Sequence, residues 1–248
     1  MSYNLTNNKD NSVICSFPRE RLLKRSKEFK WYDCVHEYLL FSGKTMQANI
    51  SVTHIGKQKK SQRNLAIIEK MIDEGKPLTA RNKFYYAREL FINKRYKEAL
   101  LYYNHFLETK NGLISNYIDA CLDLSTCYQY EKDTKKQLQA LVKSFEYDAP
   151  RAEICCRIGY YYKDLNKYLL AIKWFRIACT LEKPASVTTS IIHDTWDYIP
   201  YMELCACYFK LGNIKKAYYY NQKAGDVKPQ SSIYLHNKKY LEKLLHKN

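Results

Sequence analysis

One spacing pattern constrains this chain more than any other. Small residues stand at Ala87, Ser125, Gly159 and Cys205, separated by 38, 34 and 46 positions. Three residues after each comes a large side chain, in turn Leu90, Tyr128, Tyr162 and Tyr208. Twelve after come Ala99, Gln137, Ala171 and Ala217, and nineteen after come Phe106, Ser144, Ala178 and Ala224. Two helices approach closely only where facing residues are small, and large neighbours fill the space on either side. The pattern therefore predicts antiparallel helix pairs, four of them between Arg81 and Pro229. The third is clearest, with Gly159, Tyr162, Tyr168, Ala171, Phe175 and Ala178 at helical spacings before Pro184. Gln137 in an alanine slot makes the second the most degenerate.

This frame resembles the tetratricopeptide repeat, whose period is about 34 residues. The fold class expected is mainly α: a tetratricopeptide-like α-solenoid of about four helix–turn–helix units over residues 77–232. A final amphipathic segment, 233–248, carries Ile233, Leu235, Tyr240, Leu241, Leu244 and Leu245. It is expected to cap the open end of the stack. The long third interval implies an insertion at about Ala185 to Tyr198, with Asp194, Trp196, Asp197 and Tyr198. An aromatic loop of this kind suggests a contact surface, or side chains able to hold a sugar.

Composition sets the class of partner. Hydrophobic content is 46%, enough for a core, and Gly 7 with Pro 6 leaves little room for flexible linkers. The 24 tyrosines suit helix packing with a hydroxyl at the wet edge. The formal charge of +16 permits an anionic partner. Its lysines are spread along the chain, however, and the densest run, Lys57, Lys59, Lys60 and Arg63, carries no nucleic-acid signature. No nucleic-acid partner is expected. Nine cysteines without a C-x-x-C pair read as reduced core residues of a cytoplasmic protein. No run approaches 18 apolar residues, so no membrane span is expected.

The first part of the chain has another character. Residues 1–12 are polar and expected to be disordered. Val13–Pro18 and the alternating, β-branched Ala48–His54 read as short strands, too few for a stable sheet alone. Asn64, Leu65, Ile68, Met71 and Ile72 form a helical stripe ending at Gly75–Lys76–Pro77. Residues 57–76 are thus a joining helix between a 13–56 segment and the repeats, with the domain boundary near 55–76.

Arg21–Leu22–Leu23–Lys24, Trp31 and Val35–His36–Glu37 resemble the last part of the catalytic domain of family 2 glycosyltransferases. Some bacterial members carry a tetratricopeptide tail. The resemblance continues through Arg63–Asn64–Leu65, Phe84–Leu90 and Tyr147–Cys156. It implies that residues 13–56 are the remnant of a GT-A domain. The family's cofactors are a divalent metal (Mn or Mg) and a nucleotide-sugar donor. It also implies His36 as a metal ligand, Trp31 and Glu37 as substrate-binding residues, and an inverting transfer to an acceptor. No Asp-x-Asp occurs in the chain, no catalytic base can be assigned, and where the resemblance implies a nucleotide-binding half before residue 13 the sequence has twelve polar residues. No cofactor is expected for this chain alone.

Two function classes follow. The first is a truncated glycosyltransferase-like protein whose solenoid binds a protein or peptide, or another copy of itself. Phe84, Arg88, Phe91, Tyr130, Tyr160, Lys163, Phe209 and Lys210 are the protein-binding groove candidates, an aromatic surface edged by Arg and Lys. The alternative is an active glycosyltransferase, formed only with a separately encoded catalytic half. The missing Asp-x-Asp favours the module.

Overall fold

The computed structural model describes residues 1–6, 13–20, 22–40, 43–46, 48–54, 62–183 and 191–246. It is mainly helical, and the described residues fall into two compact units meeting in sequence at Asp148/Ala149. That division lies inside the repeats, not near 55–76 as the change in sequence character suggested. The reason is that residues 33–38 pack onto the first helices, with Val35 inside their core.

In the first unit, β1 (Ser2–Thr6) lies between β2 (Val13–Pro18) and β5 (Ser51–His54). It pairs antiparallel with β2 and parallel with β5. This corrects the expectation of a disordered start for residues 2–6; residues 7–12 lie outside the described residues. The strand forms because its side chains have cross-strand partners. Tyr3 is opposite Phe17, their rings 5.3 Å apart, and Asn4 Oδ1 accepts from Ser2 and Ser16. A second ribbon pairs β3 (Trp31–Tyr32) with β4 (Tyr38–Leu39).

The helices follow the small-residue frame. After α1 (Arg63–Asp73) come α2 (Ala80–Ile92) with α3 (Tyr96–Leu107), and α4 (Ile114–Tyr130) with α5 (Thr134–Lys143). The second unit holds α6 (Ala152–Asp164) with α7 (Tyr168–Thr180), and α8 (Tyr198–Lys210) with α9 (Ile214–Val227). Then α10 (Ser232–Leu245) buries Tyr234 and Leu241 against α9 and its hairpin. Residues 57–61 of the joining segment lie outside the described residues.

Three slots of the frame are buried in every unit: Ala87, Ser125, Gly159 and Cys205, then Ala99, Gln137, Ala171 and Ala217, then Phe106, Ser144, Ala178 and Ala224. In the remaining slot Leu90 is buried, whereas Tyr128, Tyr162 and Tyr208 are half-buried. Each hairpin also turns through one left-handed residue: Lys94, Lys132, Asn166 or Gly212, with φ of 64°, 59°, 57° and 74°. The amide after each donates back to the helix, as Asp133 does to Tyr128 O at 2.9 Å. This closes the orphan carbonyls of the helix end. The turns thus repeat the same intervals as the small residues. Caps are local: Thr79, Asp133, Asn213 and Ser231 each accept an amide in the first turn of their helices.

All nine cysteines are free, six of them buried. Burial pushes the Cys121, Cys127 and Cys155 thiols up to about 12. They are core residues, not nucleophiles.

Candidate functional site

Three clusters carry the candidate residues. The first is the loop between β3 and β4. Asp33 and His36 both adopt left-handed backbone, with φ of 82° and 51°. What holds them there is a set of polar contacts with α1 and α2. Arg81 Nη2 donates to His36 O at 2.6 Å, and its Nε lies 3.4 Å from Asp33 Oδ2. Its guanidinium lies over both the Tyr38 and Tyr85 rings, 4.5 and 4.6 Å from their centroids. With its amide nitrogen turned toward Asp33, Asn82 donates to that carboxylate at 2.8 Å. His36 stacks on Tyr85 at 4.1 Å, and its Nε2 lies 3.0 Å from Glu89 Oε1. Asn64 donates to the same oxygen. Burial opposes the charged form of Glu89, but these hydrogen bonds outweigh it and hold its carboxyl below the usual range.

His36 therefore orders a buried carboxylate. Among the described residues no group of three or more His, Cys, Asp or Glu side chains could hold a metal ion. Glu37 and Trp31 are exposed, and neither wall nor acceptor site forms around Trp31, which is 58% accessible. Val35, at 2%, is the residue that docks the loop: it enters the core with Leu65, Ile68 and Phe84. Leu39 is buried too, whereas Leu22, Leu23 and Leu40 are exposed.

The second cluster is an aromatic shelf at the turn end of the first two hairpins. Tyr130, 61% accessible, stacks face to face on Tyr96 at 4.2 Å, and Phe91 meets Tyr96 edge-on at 5.7 Å. On the same helix as Phe91, Arg88 pairs with Asp119 of α4 at 3.1 Å. Phe84 is not a groove residue: it is fully buried among Tyr85, Tyr103 and Phe106. It shares a helix face with Arg88, but only the longer side chain reaches the surface.

In the second unit, Lys163 pairs with Glu203 and lies over Tyr160, which is edge-on to Phe175. Burial and Glu203 push the Tyr160 hydroxyl well up. Phe209 is half covered by Tyr240 of α10, and Lys210 is exposed. The described part of the insertion is a two-residue strand, β6 (Ile191–Ile192), and a 3-10 turn, His193–Trp196. Residues 184–190 lie outside the described residues. The sequence suggested a contact surface or side chains able to hold a sugar; within the described residues Ile191, Thr195 and Trp196 face inward as a wedge. Trp196 is buried, its Nε1 donating to Glu153 Oε1 at 3.0 Å, and Ile192 N donates to the same oxygen. Cys156 donates to Thr195 O. Asp194 pairs with Lys228, and Asp197 pairs with Lys183 and caps α8.

Nothing in the sequence marks Tyr96, Asp119, Glu153 or Glu203. Their partners are distant in the chain, and no periodicity marks them.

No family model matches the sequence, and no curated protein matches it. Solved structures do. A tetratricopeptide repeat protein from Parabacteroides merdae aligns over 74% of this chain and 66% of its own, with TM-score 0.54 and 16% identity. YrrB, described as a TPR protein with an unusual peptide-binding site, aligns over 72% and 83%, with TM-score 0.50 and 19% identity. The MamA RS-1 ArsTM double mutant aligns over 68% and 85%, with TM-score 0.51 and 14% identity. At such identities the likeness is one of fold: the helix hairpins are tetratricopeptide-like.

Proposed function

We propose that the helix hairpins are a protein-binding module, with the Phe91–Tyr96–Tyr130 shelf as the contact surface of the first unit. The observation that carries this is Tyr130. A large ring stacked at 4.2 Å on a second ring, yet left open to solvent, is preorganised contact area with no core to fill. The Arg88–Asp119 pair, whose arginine lies one turn before Phe91 on α2, supplies both signs of charge, which suits the main chain and polar side chains of an extended peptide. The peptide-binding site of YrrB, on a similar fold, supports the same use.

The test is a random peptide display screened against the full chain and against Tyr130→Ala. Recovery of one sequence motif, lost in the variant and weakened in Arg88→Ala, is the expected result. Recovery of the same peptides by Tyr130→Ala would remove the shelf from the reading. Light scattering across a concentration series tests whether the partner is a second copy. Glycosyltransferase action through a separately encoded half gains no observation, because His36, its best residue, holds Glu89. No helix of the described residues is long and apolar enough to cross a membrane.

A further inference from the structure

The first unit carries a hollow of about 730 Å³ that the peptide-binding reading does not use. It opens where the end of β2 meets the segments 22–29 and 43–46 and Ala48. Its lining includes Arg19, Lys24, Lys27 and Lys44 against the single acid Glu20. Lys24, Lys27 and Lys44 are exposed and form no ion pair among the described residues. Two apolar side chains flank them on separate segments: Leu22, 70% accessible, and Met46, 88% accessible.

We infer that this hollow is a peripheral docking site for an anionic lipid surface, with the lysines on headgroup phosphates and Leu22 and Met46 entering the acyl boundary. Charge complementarity commits it to an anionic partner. The position of the apolar residues chooses among anionic partners. A peptide groove buries its apolar side chains, whereas these two are largely open to solvent. Only a medium that spreads over the surface covers both. Nucleic acid would leave Leu22 and Met46 in water.

Co-sedimentation of the full chain with phosphatidylcholine vesicles, with and without phosphatidylserine, tests this. Binding to the anionic vesicles only is expected, weakening with salt. Lys24→Glu/Lys27→Glu/Lys44→Glu should lower it by on the order of a hundredfold, at roughly fivefold per lysine. Leu22→Ser/Met46→Ser, which leaves the charge unchanged, should lower it by about tenfold. Both sets lie on the surface, and unchanged melting curves confirm intact folds. Equal loss in Lys239→Glu/Lys243→Glu, on α10, would reduce the effect to net charge and overturn the site. So would full binding by Leu22→Ser/Met46→Ser, or capture of polyglutamate in the hollow without vesicle binding.

Discussion

Gly159 of α6 faces the ring of Phe175 of α7 so closely that a Cβ at that position would stand 2.6 Å from Phe175 Cε1. Phe175 is fully buried and cannot retreat into solvent. The two helices are spaced by this contact, which is the steric rule that the repeat frame implies. Gly159→Ala should therefore cost about 1–3 kcal/mol from overpacking, although alanine has the better helix propensity. Denaturant unfolding followed by circular dichroism measures it. Phe175→Leu in the same background should recover part of the loss, because the methyl then meets a smaller side chain. A Gly159→Ala protein as stable as the parent would mean that α6 and α7 are not in contact there.

Lys132 sits in the left-handed region at φ 59° in the turn between α4 and α5, a conformation that costs an L-residue roughly 1–2 kcal/mol. Glycine has no such cost, but loses more chain entropy on folding, by roughly 0.5–1 kcal/mol. Lys132→Gly should stabilise the protein by about 0.5–1 kcal/mol. The same change at Gly212, to lysine, should do the reverse. A Lys132→Gly variant that melts earlier than the parent would refute the turn geometry.

These two positions show what the sequence made legible. The packing of hairpin helices is a local steric matter, repeated four times, so Ala87, Gly159, Ala171 and Ala217 announce it. The left-handed turn residues repeat at the same intervals, but Lys94, Lys132 and Asn166 look like any surface residue, and only Gly212 carries the signal. Long-range pairing was harder to see. Ser2–Thr6 became a central strand because β5, some fifty residues away, offered an edge. Trp196 read as a contact on the surface, but its partner, Glu153, lies 43 residues earlier and is buried. The Val35–His36–Glu37 turn suggested a metal; the structure instead gives its imidazole a carboxylate on α2.

That pairing has a pH signature. Glu89 is held below its ordinary value of 4.5, so the folded state favours its charged form more than the unfolded chain does. Its contribution is complete above about pH 4.5 and disappears as pH falls through the lowered value. Glu89→Gln should lower stability at neutral pH and make the acid limb of the stability profile shallower. His36→Ala should act in the same direction, because it removes one of the bonds that depress Glu89. If both variants keep the parent's slope below pH 4.5, another carboxylate governs acid unfolding.

The wedge in the second unit gives an ordered set of expectations. Glu153 is buried and accepts from both Trp196 Nε1 and Ile192 N through one oxygen, while its other oxygen has no hydrogen-bond partner. A buried polar oxygen without a hydrogen-bond partner carries a desolvation cost. Glu153→Gln keeps an acceptor for both donors and removes the charge, so its stability should match or exceed the parent's. Trp196→Phe fills most of the same volume but gives up the N–H, and should cost about 1–2 kcal/mol. Glu153→Leu strands two buried donors and should be the most damaging, at roughly 2–4 kcal/mol, about 1–3 for each group left unpaired with partial relaxation. Unfolding of the three proteins by denaturant gives the order directly. Glu153→Leu more stable than Trp196→Phe would show that the indole N–H does not depend on this carboxylate, and that Trp196 is held by packing alone.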